Sequence, residues 1–290
     1  MHGDKTKVNS AKAIREREIE KLAQLQKHYE IEKSLAARLR MAGKEERRYL
    51  YTSLYDELFR QVPYHPQLLQ KADSKRQQRK VNGQMRLFKR FLKPDSIFLE
   101  VGPGDCSLSC EVAKHVKKVY AVDVSEEITK SEVFPCNFSL IISDGSSIPV
   151  PKGSISIVYS DNLMEHLHPD DSRAQLQNIY GALEPGGKYI CITPNRLTGP
   201  HDVSKFFDDV ATGFHLKEYT LGELSTLFAR IGFSELTAYV GGKGIFVRFS
   251  TSIIRICERI ISNLPSPLKK GVSHAIPIKA LLGIIVIAKK

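Results

Sequence analysis

The rhythm of hydrophobic and polar positions along this 290-residue chain changes near residue 96. Before that point, from Ala11 to about Arg60, the sequence is rich in Glu, Lys, Arg, Ala, Leu and Gln, all good helix formers. Leu22, Leu25, Tyr29, Leu35 and Leu39 recur at mixed spacings with one gap of six, an imperfect amphipathic stripe. The stretch VPYHP, residues 62–66, stops helix because each proline restrains itself and its predecessor. A second basic segment, 71–93, leads through the turn LKPDS into a different pattern.

From Ser96 onward, short β-rich runs alternate with helical ones. Strands are expected at SIFLEVG (96–102), KVYAVDV (118–124), FSLIISD (138–144) and SISIVYSD (154–161). Three more follow at GKYICITPN (187–195), SELTAYVG (234–241) and LLGIIVIAKK (281–290). Helices are expected near Ser107–Val116, Ser125–Val133, Asp170–Leu183 and Leu221–Ile231. This alternation predicts an α/β domain with a parallel sheet covered on both faces. The expected organisation is a helical basic extension over 1–93 and one domain over 94–290. An insertion at about 243–280, FVRFSTSIIRICERIISNLPSPLKK, is expected to be helical until Pro265.

Composition narrows the class. With 42% hydrophobic and 26% charged residues the chain reads as an ordinary globular protein. It contains no apolar run of membrane-spanning length. The opening MHGDKTKVNS lacks the apolar core of a secretory signal. Five cysteines are scattered without a CxxC pair, which suits reduced thiols, and the expected location is the cytoplasm. The net charge of +11 is unevenly placed: residues 1–93 hold 23 Lys+Arg against 11 Asp+Glu, the remainder 20 against 21. The basic third is either a solvated helical face or a surface for nucleic acid, anionic lipid or a phosphorylated substrate.

The candidate chemistry starts at FLEVGPGDCSLS, residues 98–109. A strand running into Gly102-x-Gly104 lets the backbone approach a ligand closely at the carboxyl end of a parallel sheet. Dinucleotide sites do this with three glycines, but here the third position is Ser107, and Glu100 stands just ahead. A carboxylate there repels a pyrophosphate and suits a cationic or zwitterionic ligand. Asp123 ends the second strand about 20 residues later, where a carboxylate can take two ribose hydroxyls. Asp144 ends the third. One acid at one strand end is often a helix cap; three at successive strand ends point to a ligand.

With FLEVGPGDCS, VYAVDVS, IISDGSSIPVPKGSISIVYSDNLMEHL and LEPGGKYICITPN in that order, the chain resembles the class I S-adenosylmethionine-dependent methyltransferases from about Ser96 to Lys290. The resemblance implies a Rossmann-like, seven-stranded, mostly parallel sheet whose last strand is antiparallel. It implies S-adenosylmethionine as cofactor, with Glu100, Gly102 and Gly104 along its methionine part and Asp123 on the ribose hydroxyls. Val124 would lie against the adenine, Asp144 and Gly145 would flank it, and Asn162 would sit beside the cofactor.

Methyl transfer needs an aligned nucleophile and a home for its proton. Asp161, Glu165, His166 and His168 crowd the end of the fourth strand, with Asn195, His201 and His215 further on. The expected catalytic residues are His166, Glu165 and His215. The pair NLMEHL and HLKEYT is similar to the ExxEH…H pattern of small-RNA 2′-O-methyltransferases and ubiquinone-pathway O-methyltransferases, where two glutamates and two histidines hold a divalent ion. Glu165, His166 and His215 match three of those positions. Asn162 replaces the first glutamate, and that missing charge favours metal-free acid/base or structural use over a metal site.

The expected activity is methylation of an oxygen on a small molecule, lipid or glycan precursor. The alternatives are an RNA 2′-O-methyltransferase, drawing on the basic third, and a non-catalytic module that binds the cofactor. Against RNA, no aromatic-rich single-strand-binding motif accompanies the basic residues. The basic third and the insertion would form the substrate side. In the insertion, Ile253, Ile254, Ile256, Cys257, Ile260 and Ile261 share one broad apolar face edged by Arg248, Arg255 and Arg259. Such a face either packs on the domain or meets a membrane surface or lipid substrate. Oligomeric state is not legible.

Overall fold

A computed structural model describes residues 3–70, 74–129, 133–242 and 244–290. The extension is helical: α1 (Gly3–Met41), α2 (Lys44–Gln61), α3 (Pro66–Gln70) and α4 (Ser74–Phe88) precede the sheet. The break between α2 and α3 falls in VPYHP. Of the stripe expected on α1, Tyr29, Leu35 and Leu39 are buried, whereas Leu22 is exposed. The chain then alternates through β1 (Ile97–Val101), α5 (Ser107–Ala113), β2 (Lys118–Asp123), β3 (Phe138–Ile142), β4 (Ile155–Asp161), α6 (Pro169–Ala182) and β5 (Leu183–Thr193). It continues with α7 (Leu221–Ile231), β6 (Glu235–Gly242), β7 (Ile245–Phe249), α8 (Thr251–Ser262), α9 (Ser266–His274), α10 (Ile276–Leu282) and β8 (Ile284–Lys289).

The eight strands form one sheet in the order β3-β2-β1-β4-β5-β8-β6-β7. β1 to β5 pair in parallel, and β8 runs antiparallel between β5 and β6. The expected mostly parallel sheet with an antiparallel last strand is present, and one strand joins it. β7 is the second arm of a hairpin with β6, where a helical insertion is expected. Helix starts only at Thr251, where the Ser250 hydroxyl accepts from the amide of Ile253, and it resumes beyond Pro265 as α9 and α10. The helix expected over Ser125–Val133 is a turn as far as Thr129, and residues 130–132 of that expectation lie outside the described residues.

Local chemistry fixes the element ends. Thr220 and Glu223 form a reciprocal capping box at the start of α7, and Gly232, at φ +116°, closes it in the left-handed conformation. Pro169 occupies the first turn of α6, where a missing N–H costs nothing. One core packs α6 and α7 on one sheet face, including Leu176, Ile179, Tyr189, Leu224 and Phe228. A second packs α4 and α5 on the other, around Phe88, Phe98, Val112, Val119 and Tyr159. A third joins the extension to the domain through Leu35, Leu54, Leu58, Leu167 and Phe214. The carboxyl ends of β1, β2 and β4 are thereby left under helix α2.

Candidate functional site

β1 ends at Val101, and the next residues turn sharply beneath a cavity. Gly102 has φ +70° and Gly104 φ +57°, a region that L side chains enter at a cost of roughly 1–2 kcal/mol. A Cβ on Gly102 would lie 3.0 Å from Leu163, whereas one on Gly104 would meet nothing within 4 Å. The cavity contains about 880 Å³ of empty space including its mouth, within the range of small-ligand sites. Gly102, Gly104, Asp123, Val124, Gly145 and Asn162 all line it, as does His166. Asp123 Oδ1 accepts from the amide of Val124 at 2.7 Å. Burial pushes the Asp123 carboxyl up to about 6 against those donors.

Two expected residues stand back from this wall. Glu100 is buried with 5% exposure and accepts from the Ser109 hydroxyl, and burial pushes its pKa up to about 8. Asp144 is occupied by its own turn. Its Oδ1 accepts from the amides of Ser146 at 3.0 Å and Ser147 at 2.7 Å, and its Oδ2 accepts from Arg48 Nε at 2.7 Å. Burial opposes ionisation there, but these donors outweigh it and hold the group down at about 2. The cavity therefore meets the main chain of Gly145, whose carbonyl accepts from Gln175 at 2.6 Å, and not the Asp144 carboxylate.

The roof is a residue set that sequence reasoning missed. Tyr51, Tyr55 and Phe59, at four-residue spacing on α2, line the cavity with Gln67. The Tyr51 ring lies so close over Gly145 that an added Cβ would meet it at 2.8 Å. Tyr55 stacks on Phe214 with centroids 4.9 Å apart. Polar ties pin α2 across the strand ends: Thr52 Oγ1 donates to the Val124 carbonyl at 2.6 Å, and Ser125 Oγ donates to Asp56 at 2.8 Å. Deeper in, Arg47 Nε and Nη2 donate to both oxygens of Asp171 at 2.6 and 3.0 Å, a buried bidentate pair. The signal for a roof was the i, i+4, i+8 aromatic spacing in YLYTSLYDELF.

Beside the cavity, Glu165, His166 and His215 converge: one ligand atom from each lies within 4.8 Å of the others. Each is oriented by a second bond. The Thr193 hydroxyl donates to Glu165 Oε2 at 2.8 Å, while Oε1 is buried with no partner. His166 Nδ1 donates to the Phe214 carbonyl at 3.2 Å, leaving the lone pair on Nε2. His215 Nδ1 donates to Glu218 at 2.7 Å. The two imidazole rings stand perpendicular, 4.8 Å apart. Burial and the neighbouring His215 push His166 down to about 3, and burial raises Glu165 to about 7. For His215 burial works downward, but Glu218 and Glu165 outweigh it and raise the pKa.

Helix α1 holds the segment that carries His215. Arg40 donates to the carbonyls of Thr212 and Gly213 at 2.8 Å, and Glu32 accepts from the Phe214 amide at 2.9 Å. Asn162, on the cavity wall, donates its side-chain amide to Asp161 at 2.9 Å. Of the other candidates, His168 accepts from the Asp170 amide at the start of α6, and Asn195 donates to Glu258. His201 bonds Thr198. All three serve local structure.

On the far side of His215 lies a second, wider cavity of about 1780 Å³ including open solvent. Its wall includes Arg196, Lys205 and Lys217 from the loops after β5, and Lys269 and Lys270 from α9. The His166–His215 pair thus separates the two cavities.

Comparison with known proteins concerns the domain that carries this site. Residues 99–191 match the family model described as a methyltransferase domain. A probable S-adenosylmethionine-dependent methyltransferase of Mycolicibacterium smegmatis is 28% identical over 137 residues, 47% of this chain and 51% of its own length. This chain therefore spans about half of that relative. An uncharacterized methyltransferase of Geobacillus kaustophilus is 26% identical over 158 residues, covering 49% of this chain and 71% of its own. Among solved structures, the protein described as the putative methyltransferase in complex with the Haloferax volcanii Trm112 methyltransferase activator shares the fold. Its TM-score is 0.52 at 12% identity, over 74% of this chain and 94% of that one.

Proposed function

We propose that this chain, an enzyme built on a class I S-adenosylmethionine-dependent methyltransferase domain, methylates an oxygen of a small molecule, lipid or glycan precursor. The observation that carries the reading is the convergence of Glu165, His166 and His215 between the glycine-turn cavity and the second one. An oxygen nucleophile must shed a proton as it attacks, unlike an amine that is already neutral, so it calls for such a cluster.

The first cavity suits the cofactor. Gly104 leaves room for a ligand at the turn, Asp123 presents a carboxylate at the second strand end, and the α2 aromatics close over both. Bound there, S-adenosylmethionine supplies a methyl group on a sulfonium. The chain aligns the acceptor and keeps water out: Tyr51 covers Gly145 at the adenine end, Tyr55 beside His166 and Phe214 shields the reacting end, and the second cavity admits the acceptor past His215. Burial raises the Glu165 carboxyl to about 7, and its unpartnered Oε1 belongs to the cluster with the two imidazoles. His166 stays neutral with its Nε2 lone pair available.

We further propose that Glu165, His166 and His215 hold a divalent ion, although sequence reasoning sets this aside for want of the first glutamate. The donor set fits: an unpartnered buried carboxylate oxygen and two imidazoles whose other nitrogens donate to a backbone carbonyl and to a carboxylate, the arrangement that orients metal ligands. An ion there would make an acceptor hydroxyl more acidic. The test is transfer from labelled S-adenosylmethionine to candidate acceptors, with mass spectrometry of the product. An O-methyl product, lost with chelator and restored by Mg²⁺, Mn²⁺ or Zn²⁺, is expected. An N-methyl product refutes the oxygen assignment, and turnover indifferent to chelator refutes the ion.

A further inference from the structure

The segment after β6 exposes an unusual surface. On α8, Ile253, Ile256 and Ile260 are 50%, 59% and 59% exposed. At 100° per residue they occupy an arc of roughly 60° on the helix. The other half of the apolar face is spent on the core: Ile254 and Ile261 are buried. The broad face expected from the sequence is therefore divided lengthwise, one edge packed and one edge in water. More apolar side chains stand in water nearby, Leu268 on α9 at 58% and Ile276 on α10 at 84%. Ile245 and Val247 on β7 add to them.

The charge on this segment has one sign. Arg248, Arg255, Arg259, Lys270 and Lys279 are exposed, and Lys269 is half-buried. The only acid between residues 244 and 280 is Glu258. It is buried, where Asn195 Nδ2 and the amides of Leu221 and Gly222 all donate to it. Lys270 pairs with Asp209, outside the segment, at 3.3 Å, so the segment offers solvent isoleucines flanked chiefly by Arg255 and Arg259, with no exposed carboxylate of its own.

We infer that the exposed edge of α8, with its flanking arginines, docks on the surface of an anionic lipid bilayer. A helix lying in the interface plane buries its apolar edge among acyl chains while basic side chains meet lipid phosphates. This occupant satisfies both halves of the surface. A second copy of the chain docked symmetrically through this edge would bring two arginine-flanked edges together with no carboxylate of the segment between them. Nucleic acid would neutralise the arginines but leave three isoleucines in water. Because Lys269 and Lys270 also line the second cavity, docking brings that cavity beside lipid headgroups. The inference does not depend on which atom is methylated.

Flotation of the full-length protein with vesicles tests it. Phosphatidylcholine vesicles containing phosphatidylglycerol should carry the protein, pure phosphatidylcholine should carry far less, and salt should weaken the binding. Ile253→Ser/Ile256→Ser/Ile260→Ser, all at exposed positions, should reduce vesicle affinity by about tenfold or more. Arg255→Gln/Arg259→Gln should reduce the preference for anionic vesicles. Calorimetry with S-adenosylmethionine, unchanged in both variants, establishes that they fold. The basic extension could also attract anionic vesicles, and the isoleucine variant leaves it intact. Binding retained by that variant overturns the inference, as does a wild-type protein that ignores vesicles. It is also overturned if sedimentation velocity shows a wild-type dimer that the isoleucine variant dissociates.

Discussion

Replacing Arg47 by Met would test how the helical extension is fastened over the glycine-turn cavity. Arg47 and Asp171 are 4% and 3% exposed, and both carboxylate oxygens accept from the guanidinium. Met keeps the length and apolar stem of Arg47 but leaves Asp171 buried, with the Tyr51 hydroxyl at 2.9 Å as its remaining donor. Breaking a buried pair from one side costs about 3–5 kcal/mol. The surviving Tyr51 bond places the expectation near the lower end, about 3 kcal/mol, a large share of a stability of roughly 5–15 kcal/mol. The variant also frees the Ala42 carbonyl, which accepts from Arg47 Nη1 at 2.7 Å. Removing both charges, Arg47→Met with Asp171→Leu, removes the uncompensated carboxylate and leaves only the Tyr51 hydroxyl proton and the Ala42 carbonyl without these partners. The double variant should therefore cost about 1–2 kcal/mol, less than the single one. Urea unfolding at constant slope measures both. A single variant costing under about 1 kcal/mol, or a double variant as costly as the sum of its parts, would refute the reasoning.

Two further outcomes concern buried carboxylates. Asp123→Ala should weaken cofactor binding by about 1–3 kcal/mol in calorimetry, the usual worth of hydrogen bonds to a charged group. Because burial raises Asp123 to about 6, wild-type affinity should fall as pH drops through that value, and Asp123→Asn should flatten the profile. Equal pH profiles would remove Asp123 from the ribose contact. Glu100, raised from an ordinary 4.5 to about 8, holds a proton in the fold that the unfolded chain sheds between those values. Its contribution to stability is full below 4.5 and is lost as pH rises through about 8. Thermal or urea unfolding of Glu100→Gln should accordingly gain on wild type as pH rises, and a constant difference across that window would contradict the buried neutral acid.

What the sequence made legible was short in range. Gly102 and Gly104 reported a tight turn at a strand end, and Asp123 reported the next strand end, because both signals lie within one strand–turn–helix unit. Glu165, His166 and His215 could be named together because of a spaced resemblance, and they do converge. Asp144 was placed on the right turn, but Arg48, almost a hundred residues earlier, helps to engage its carboxylate, and pairing at that distance has no local signature. The same holds for Tyr51 over Gly145 and for Arg40 gripping the backbone before His215. β7 was missed for another reason. Alternating Ile245, Val247 and Phe249 after a glycine-rich turn is a strand signal, but it runs without a break into the strongly helical α8 sequence. The basic charge of the extension suggested an external partner. Several of its arginines are instead engaged by the rest of the chain: Arg47 on Asp171 and Arg40 on the backbone at 212–215, both inward, and Arg48 on Asp144 at the surface.

The α2 roof also sets a clock. Its aromatic row spans the cofactor cavity, while Thr52 and Asp56 bond to the loop that begins at Val124. On the proposed reading, a cofactor entering or leaving this cavity passes that row, so the ties from Thr52 and Asp56 should set its exchange rate. Pre-steady-state mixing would display this as a first turnover faster than those that follow, with the difference abolished by any substitution that loosens α2.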